Sequence, residues 1–244
     1  MNKSVRTVND GKREYKFYAK ETKEVGRVRS IFDKEKGTIS WIKSLSKDDI
    51  LFDIGANIGI YTIYAAPLVK KVVAFEPHLG NAFRLLQNVD LNKFKNVNLI
   101  ASPIHDKAGV FDFSYRSYEI GESFNQLSDE NHGNIEQKLS LHLDYYVENN
   151  LLPTPTAIKL DVDGNEYLIL QSMEKTLRLG TVKSMIVEYN RQPGETIANN
   201  RIRTFMENLG YRFIESQFTR AGKKRLKQGK SPEEIDHNFL FRLK

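Results

Sequence analysis

A chain of 244 residues with 40% hydrophobic and 28% charged residues has room for one large globular domain, or one domain and a small cap. It has no cysteine, which excludes a disulfide framework, a Cys-ligated zinc site and a thiol nucleophile together. Its formal net charge of +6 owes much to one run, RAGKKRLKQGK at 220–230, which reads as a solvated loop, with contact to an anionic substrate, nucleic acid or membrane surface as the alternative.

No apolar run approaches the roughly 18 residues of a membrane helix. The start, MNKSVRTVNDGKREYKFYAK, lacks the apolar stretch of a secretory leader, so a cytoplasmic protein is expected. Residues 1–33 mix charged and aromatic residues without a clear period, as an arm, a hairpin or part of a substrate cap would. Over 34–46, Ile39, Ile42 and Leu45 stand three apart and predict an amphipathic helix that Gly37 weakens.

From there strands and helices alternate. DILFDIGAN is a strand ending at Asp53, and IYTIYAAPLV a helix with Pro67 near its end. KVVAFEP is a strand stopped by Pro77. The segment 79–92 is a helix with Phe83, Leu86 and Leu91 at helical spacing. NVNLIAS, GVFDFSY, TAIKLDVDG and KSMIVEYN read as strands, with a helix from 165 to 179 and another from Thr196 to Leu209. YRFIES and NFLFRL close the chain as strands with only the basic loop between them, so they can pair antiparallel at one edge. The expected fold is α/β: a doubly wound, mostly parallel, Rossmann-like seven-stranded sheet with one antiparallel edge strand.

The sharpest motif is FDIGANIGIYT at 52–62, between a strand and a helix. Open α/β sheets bind ligands outside the carboxyl ends of their strands. Gly55 and Gly59 permit a tight turn and close backbone approach. A dinucleotide turn needs glycine where Asn57 stands, and a carboxylate at Asp53 would repel a pyrophosphate. The same carboxylate suits the amine or sulfonium of S-adenosylmethionine. Glu76 ends the next strand, where an acid about 20 residues past the turn can accept hydrogen bonds from two ribose hydroxyls. After the third strand, Ser102 or Ile104 can border the adenine, with His105 and Asp106 as alternatives.

IKLDVDGNE at 158–166 ends the fourth strand in Asp161 and Asp163, and Glu166 opens the next helix. Glu188 and Asn190 bring further oxygens to the same rim. Carboxylates converging on adjacent strand ends mark a candidate site. Asp161 or Asp163 can take the proton from an acceptor hydroxyl, with Glu188 beside them. Alternatively Asp161, Glu188 and Asn190 can hold a hard cation such as Mg²⁺. The five histidines are dispersed without metal spacing, and His132 falls in SDENHGNIE, read as a mobile loop between strands.

These residues resemble the FkbM-type methyltransferase family. The family's D-x-G-A-N-x-G turn, E-P step, Ser-containing stretch, L-D pair and I-K-x-D-V-E-G-x-E run correspond to DIGANIG at 53–59, EP at 76–77, GESF at 121–124, LD at 143–144 and IKLDVDGNE. The likeness spans about residues 48–190. It departs at Asp163, where the family has Glu, and at Asn165. It implies the class I methyltransferase fold, with 1–47 as an N-terminal arm or cap and 48–244 as the catalytic domain. It further implies an S-adenosylmethionine site at Asp53, Gly55, Asn57, Gly59 and Glu76, and O-methylation of a small-molecule or sugar hydroxyl. A homo-oligomer is compatible with the sequence. The rivals are a non-catalytic cofactor-binding module and a nucleic-acid methyltransferase. Against the latter, DVDG stands where amino-methylating nucleic-acid enzymes carry N-P-P-Y or D-P-P-Y.

Overall fold

In the computed structural model the N-terminal segment is a hairpin, β1 (Val5–Asn9) with β2 (Glu14–Tyr18), followed by α1 (Thr22–Arg29), α2 (Ile31–Lys34) and α3 (Lys36–Lys43). The structure describes residues 4–115, 117–123, 126–127, 134–162, 164–189, 195–218, 220–229, 231, 235 and 237–244. Alternation along β2 buries Tyr15 and Phe17, which join Val28, Ile39, Trp41 and Ile42 in one apolar cluster with Ile63 and Tyr64. Ile39 and Ile42 thus face inward, as their spacing predicts.

Then come β3 (Ile50–Ile54), α4 (Ile60–Ala65), β4 (Lys71–Phe75), α5 (Leu79–Leu91) and β5 (Val97–Ile100). A hairpin layer follows, with β6 (Gly109–Tyr115) pairing antiparallel with β7 (Gln126–Leu127) and β8 (Asn134–Ser140). The chain continues through α6 (Leu143–Glu148), β9 (Ala157–Leu160), α7 (Glu166–Gln171), α8 (Glu174–Arg178), β10 (Ser184–Tyr189), α9 (Arg201–Asn208), β11 (Tyr211–Phe218), α10 (Arg220–Lys227) and β12 (His237–Leu243).

Among the described residues the central sheet has seven strands in the order β11-β12-β10-β9-β3-β4-β5. β10, β9, β3, β4 and β5 run parallel. β12 runs antiparallel to both neighbours, so the expected antiparallel edge pair is β12 with the outermost strand β11. The inner strands are largely apolar because both faces are covered, with Asp53, Lys159 and Glu188 among the charged exceptions. Leu51, Val72 and Ala157 face the cluster that holds the hairpin, while Phe52, Val73 and Ile158 face the opposite one.

Several elements depart from the sequence expectations. The segment between the last two strands contains α10 rather than only a loop. The helix expected over 165–179 breaks into α7 and α8, where Ser172 Oγ turns back to the carbonyl of Ile169 at 2.7 Å. α9 begins at Arg201 rather than Thr196, because Asn200 Oδ1 caps the amides of Ile202 and Arg203. In α5, Phe83 and Leu86 are exposed. The buried face instead carries Asn81, Arg84, Leu85 and Asn88, and Asn88 accepts the Tyr18 amide at 2.8 Å and donates to the Ile58 carbonyl. His132 lies outside the described residues; Asn134 to Glu136, the end of the expected loop, belong to β8.

Candidate active site

The carboxyl ends of β3, β4, β9 and β10 meet at one rim. The turn after β3 holds Gly55 at φ +80°, Asn57 at φ 51° and Gly59 at φ +84°. The amides of Gly55 and Ala56 both donate to the Phe75 carbonyl at 3.0 Å, fixing the turn against the end of β4. A Cβ on Gly55 would stand 1.8 Å from the Asp161 carbonyl oxygen. The close approach that this glycine permits is therefore to the protein's own backbone leaving β9.

Asp53 is buried, with Oδ2 accepting from Thr62 Oγ1 at 2.5 Å and Oδ1 3.6 Å from Lys159 Nζ. Burial raises its pKa against the opposing effects of Lys159 and Thr62. Glu76, also buried, accepts the His78 amide on Oε1 at 2.9 Å and the Asn57 amide on Oε2 at 2.7 Å. Burial outweighs these bonds and lifts its carboxyl to about 7.

Residues 117–123 lie over this carboxylate. The Glu122 carbonyl accepts from Asn57 Nδ2 at 2.7 Å and from Asn81 Nδ2 at 3.2 Å, and the Gly121 amide donates to Asn81 Oδ1 at 2.7 Å. Arg27 on α1 clasps the segment through Nε to the Gly121 carbonyl at 2.8 Å and Nη2 to Ser123 Oγ at 2.7 Å. Lys23 pairs with the Glu122 carboxylate.

On the other side of the turn, Lys159 Nζ lies 2.9 Å from Asp161 Oδ2 and 5.2 Å from the centre of the Tyr61 ring. Burial disfavours the charge of both partners. Lys159 and a hydrogen bond from Glu188 nevertheless hold Asp161 well below the usual carboxylate range. Burial and the charge of Asp161 push Glu188 well up. The two carboxyls are coupled, Asp161 being drawn toward its ionised form and Glu188 toward its neutral form.

An open cleft lies between Arg27, Ser30 and Lys34 along α1 and α2, the turn residues Gly55, Ala56 and Asn57, and the pair Lys159–Asp161. Of the residues singled out from the sequence, Asp53, Gly55, Asn57, Gly59 and Glu76 come together, as do Asp161 and Glu188. Ser102 is half-buried after β5 and does not line the cleft. Asp163 and Asn190 lie outside the described residues. Among the described residues, no group of three or more His, Cys, Asp or Glu is placed to hold a metal. The sequence reasoning missed Arg27 and Lys159. Lys159 did carry a signal, a charge between Ile158 and Leu160 in an apolar strand, where lysine is buried only with partners. Arg27 had none, since its partners are remote in sequence.

The chain matches the model of the Methyltransferase FkbM domain over residues 53–213. It belongs to the FkbM methyltransferase family. The match covers the turn, Glu76, the 117–123 segment and the β9 rim, while Arg27 and Lys34 lie ahead of it. A hexuronic acid methyltransferase, AglP of Haloferax volcanii, is 26% identical over 174 residues, 71% of this chain and 69% of its own length. A ribosomal RNA small subunit methyltransferase A of Lachnoclostridium phytofermentans is 23% identical, covering 92% of this chain and 76% of its own. In structure, the FkbM methyltransferase of Methylobacillus flagellatus KT superposes with a TM-score of 0.52 at 14% identity, over 81% of this chain and 44% of that one. The M. jannaschii TYW2 structure in complex with AdoMet gives 0.52 at 14% identity, over 99% and 86%. The FkbM chain is thus a methyltransferase with the class I, Rossmann-like fold. Among its described residues no helix is long and apolar enough to cross a membrane.

Proposed function

We propose that this FkbM methyltransferase transfers the methyl group of S-adenosylmethionine to a hydroxyl of a sugar or related small molecule. The observation that carries the reading is Glu76, a buried carboxylate at the end of β4, held by two backbone amides beside a glycine turn that borders an open cleft. Its remaining lone pairs suit ribose hydroxyls. The bound cofactor would supply an already activated sulfonium methyl.

The protein then contributes mainly position. The turn and Glu76 orient the donor, and Arg27 with residues 117–123 covers it. Asp161, at the rim, accepts the hydrogen bond of the acceptor hydroxyl. Held ionised by Lys159, it is a weak base, so it orients the hydroxyl and receives its proton late, as the new bond forms. Lys159 supplies the positive charge that a metal would otherwise bring beside Asp161, and this reading needs no Mg²⁺. The sugar acceptor is supported by the hexuronic acid methyltransferase relative.

Calorimetry with S-adenosylhomocysteine, with and without Mg²⁺, on wild type and Glu76→Ala tests the donor site. Transfer of labelled methyl to neutral sugars, acidic sugars and RNA tests the acceptor. Micromolar binding that Glu76→Ala loses, with labelling of a sugar, is expected. Absence of binding by the wild type would overturn the reading.

A further inference from the structure

The basic run at 220–230 has no part in the site described above, yet its position is specific. β11 and β10 are both antiparallel to β12, so they run in the same direction. The register matches Tyr189 with His237 and His237 with Phe218, which puts the end of β11 level with the end of β10. α10 starts at Arg220, two residues later, and so leaves from the same rim as Glu188 and Asp161. At about 4.8 Å per strand, the end of β11 is about 10 Å from β10 and about 14 Å from β9.

The basic positions of α10 are also ordered. Lys224 and Lys227 stand at i and i+3, which helix geometry places on one face. Like charges at that spacing weaken a helix, and residues 220–230 hold six Lys or Arg and no acid to offset them. Lys224 and Lys227 are exposed. On the cleft side, Arg27 adds positive charge, while Lys34 is paired with Glu35 at 3.0 Å.

We propose that α10 is a docking face for an acidic saccharide, the acceptor's own carboxylate groups lying along the helix while one of its hydroxyls reaches Asp161. This rests on the sugar-acceptor reading above and narrows it to saccharides bearing negative charge. The face complements a flexible chain with several spaced anions, and its distance from Asp161 suits an acceptor longer than one ring.

The test is direct binding of tri-galacturonic acid to the full chain, measured by calorimetry at low and at moderate salt. Maltotriose serves as the neutral control of equal length. Wild type should bind the acidic trisaccharide more tightly than maltotriose, and added salt should erase the difference. Lys224→Glu with Lys227→Glu, both exposed and outside the catalytic rim, should weaken tri-galacturonate binding by about tenfold, the loss of two surface ion pairs. Maltotriose and S-adenosylhomocysteine binding should not change. Equal binding of the two trisaccharides, no binding of the acidic one at low salt, or no effect of the double variant would overturn the proposal. So would tighter binding of an oligouridylate of matched charge that the double variant abolishes, which would make α10 a nucleic-acid face. If S-adenosylhomocysteine does not bind the wild type, the donor-site reading fails by itself, and the trisaccharide comparison still decides the role of α10.

Discussion

Lys159 and Asp161, two residues apart at the end of β9, form an ion pair of 2.9 Å, and the same ammonium reaches Asp53 on β3 at 3.6 Å. The period of a strand puts the two β9 side chains on one face. Lys159 therefore links the buried acid of the glycine turn to the half-buried acid of the rim and lowers the pKa of both against their burial.

Removing that ammonium leaves two carboxylates with no cation. Lys159→Met keeps the bulk of the stem, but breaking a buried pair costs about 3–5 kcal/mol. In a domain of this size the melting temperature should fall by roughly 6–20 °C. The sign with pH follows from Asp161. Its folded pKa is depressed, so its stabilisation is present above the ordinary value of 3.8 and is lost as pH falls through the folded value. Wild type should lose its advantage over Lys159→Met only in strong acid. Melting curves of both proteins from neutral to acidic pH check this, and coincident curves at neutral pH would dispose of the ion pair's role.

Glu76 titrates the other way. Burial raises its carboxyl from 4.5 to about 7, so its own contribution to stability is present below the unfolded value and lost as pH rises through about 7. Ribose hydroxyls donate to the ionised form. S-adenosylhomocysteine affinity should therefore rise with pH through about 7 and level off above it. Glu76→Gln should flatten that profile and weaken binding by roughly 10- to 150-fold, the equivalent of about 1.5–3 kcal/mol for hydrogen bonds to a charged group. Calorimetric titrations across this pH range are the check. A pH-independent wild type would show that Glu76 does not meet the ligand.

What was legible in the sequence was local. The turn at 53–59 follows an apolar strand and uses glycines at 55 and 59, where φ is positive, so pattern and conformation agree. Glu76 and Asp161 stand at strand ends, and strand ends in such a sheet face the site. Tertiary partners were not legible. The acid at position 53 reads as a ligand for a cation, yet it is turned to Thr62 and to a lysine from another strand. The spacing of Phe83 and Leu86 reads as core. Instead Asn88 binds the backbone of β2 and Arg84 pairs at 2.8 Å with the buried Glu24, and these contacts set which face of α5 is inside. Arg27 is invisible for the same reason, since its partners Gly121 and Ser123 reach it only in the folded chain.

Gly55 gives the sharpest structural prediction. Any side chain there meets the Asp161 carbonyl oxygen at 1.8 Å and must also adopt φ +80°. Gly55→Ala should cost about 2–5 kcal/mol, combining the left-handed penalty with overpacking. Because the clash is with the β9 rim, the displaced atom belongs to Asp161. Methyl transfer should therefore fall further than fold stability accounts for. Denaturant melts beside single-turnover rates on the folded fraction separate the two effects. A fully stable Gly55→Ala would mean that the turn and the rim are not in contact.

Glu188 separates a proton-holding role from a merely packed one. Its carboxyl is hydrogen-bonded to Asp161, and burial with Asp161's charge holds its pKa well above 4.5. Glu188→Gln replaces the O–H donor with an N–H donor of similar shape, so turnover near neutral pH should stay within about threefold of wild type. Glu188→Ala leaves Asp161 without that bond and should lower turnover by roughly 10- to 150-fold, again about 1.5–3 kcal/mol. The pH dependence distinguishes the two carriers. As pH rises and Glu188 ionises, it becomes a second negative charge against Asp161 and ceases to donate, so wild-type rate should decline on the alkaline side. The glutamine variant cannot ionise and should hold its rate there. Rate profiles of the three proteins decide the matter. If wild type and Glu188→Gln decline together, the alkaline limb belongs to another group and Glu188 only fills space beside the rim.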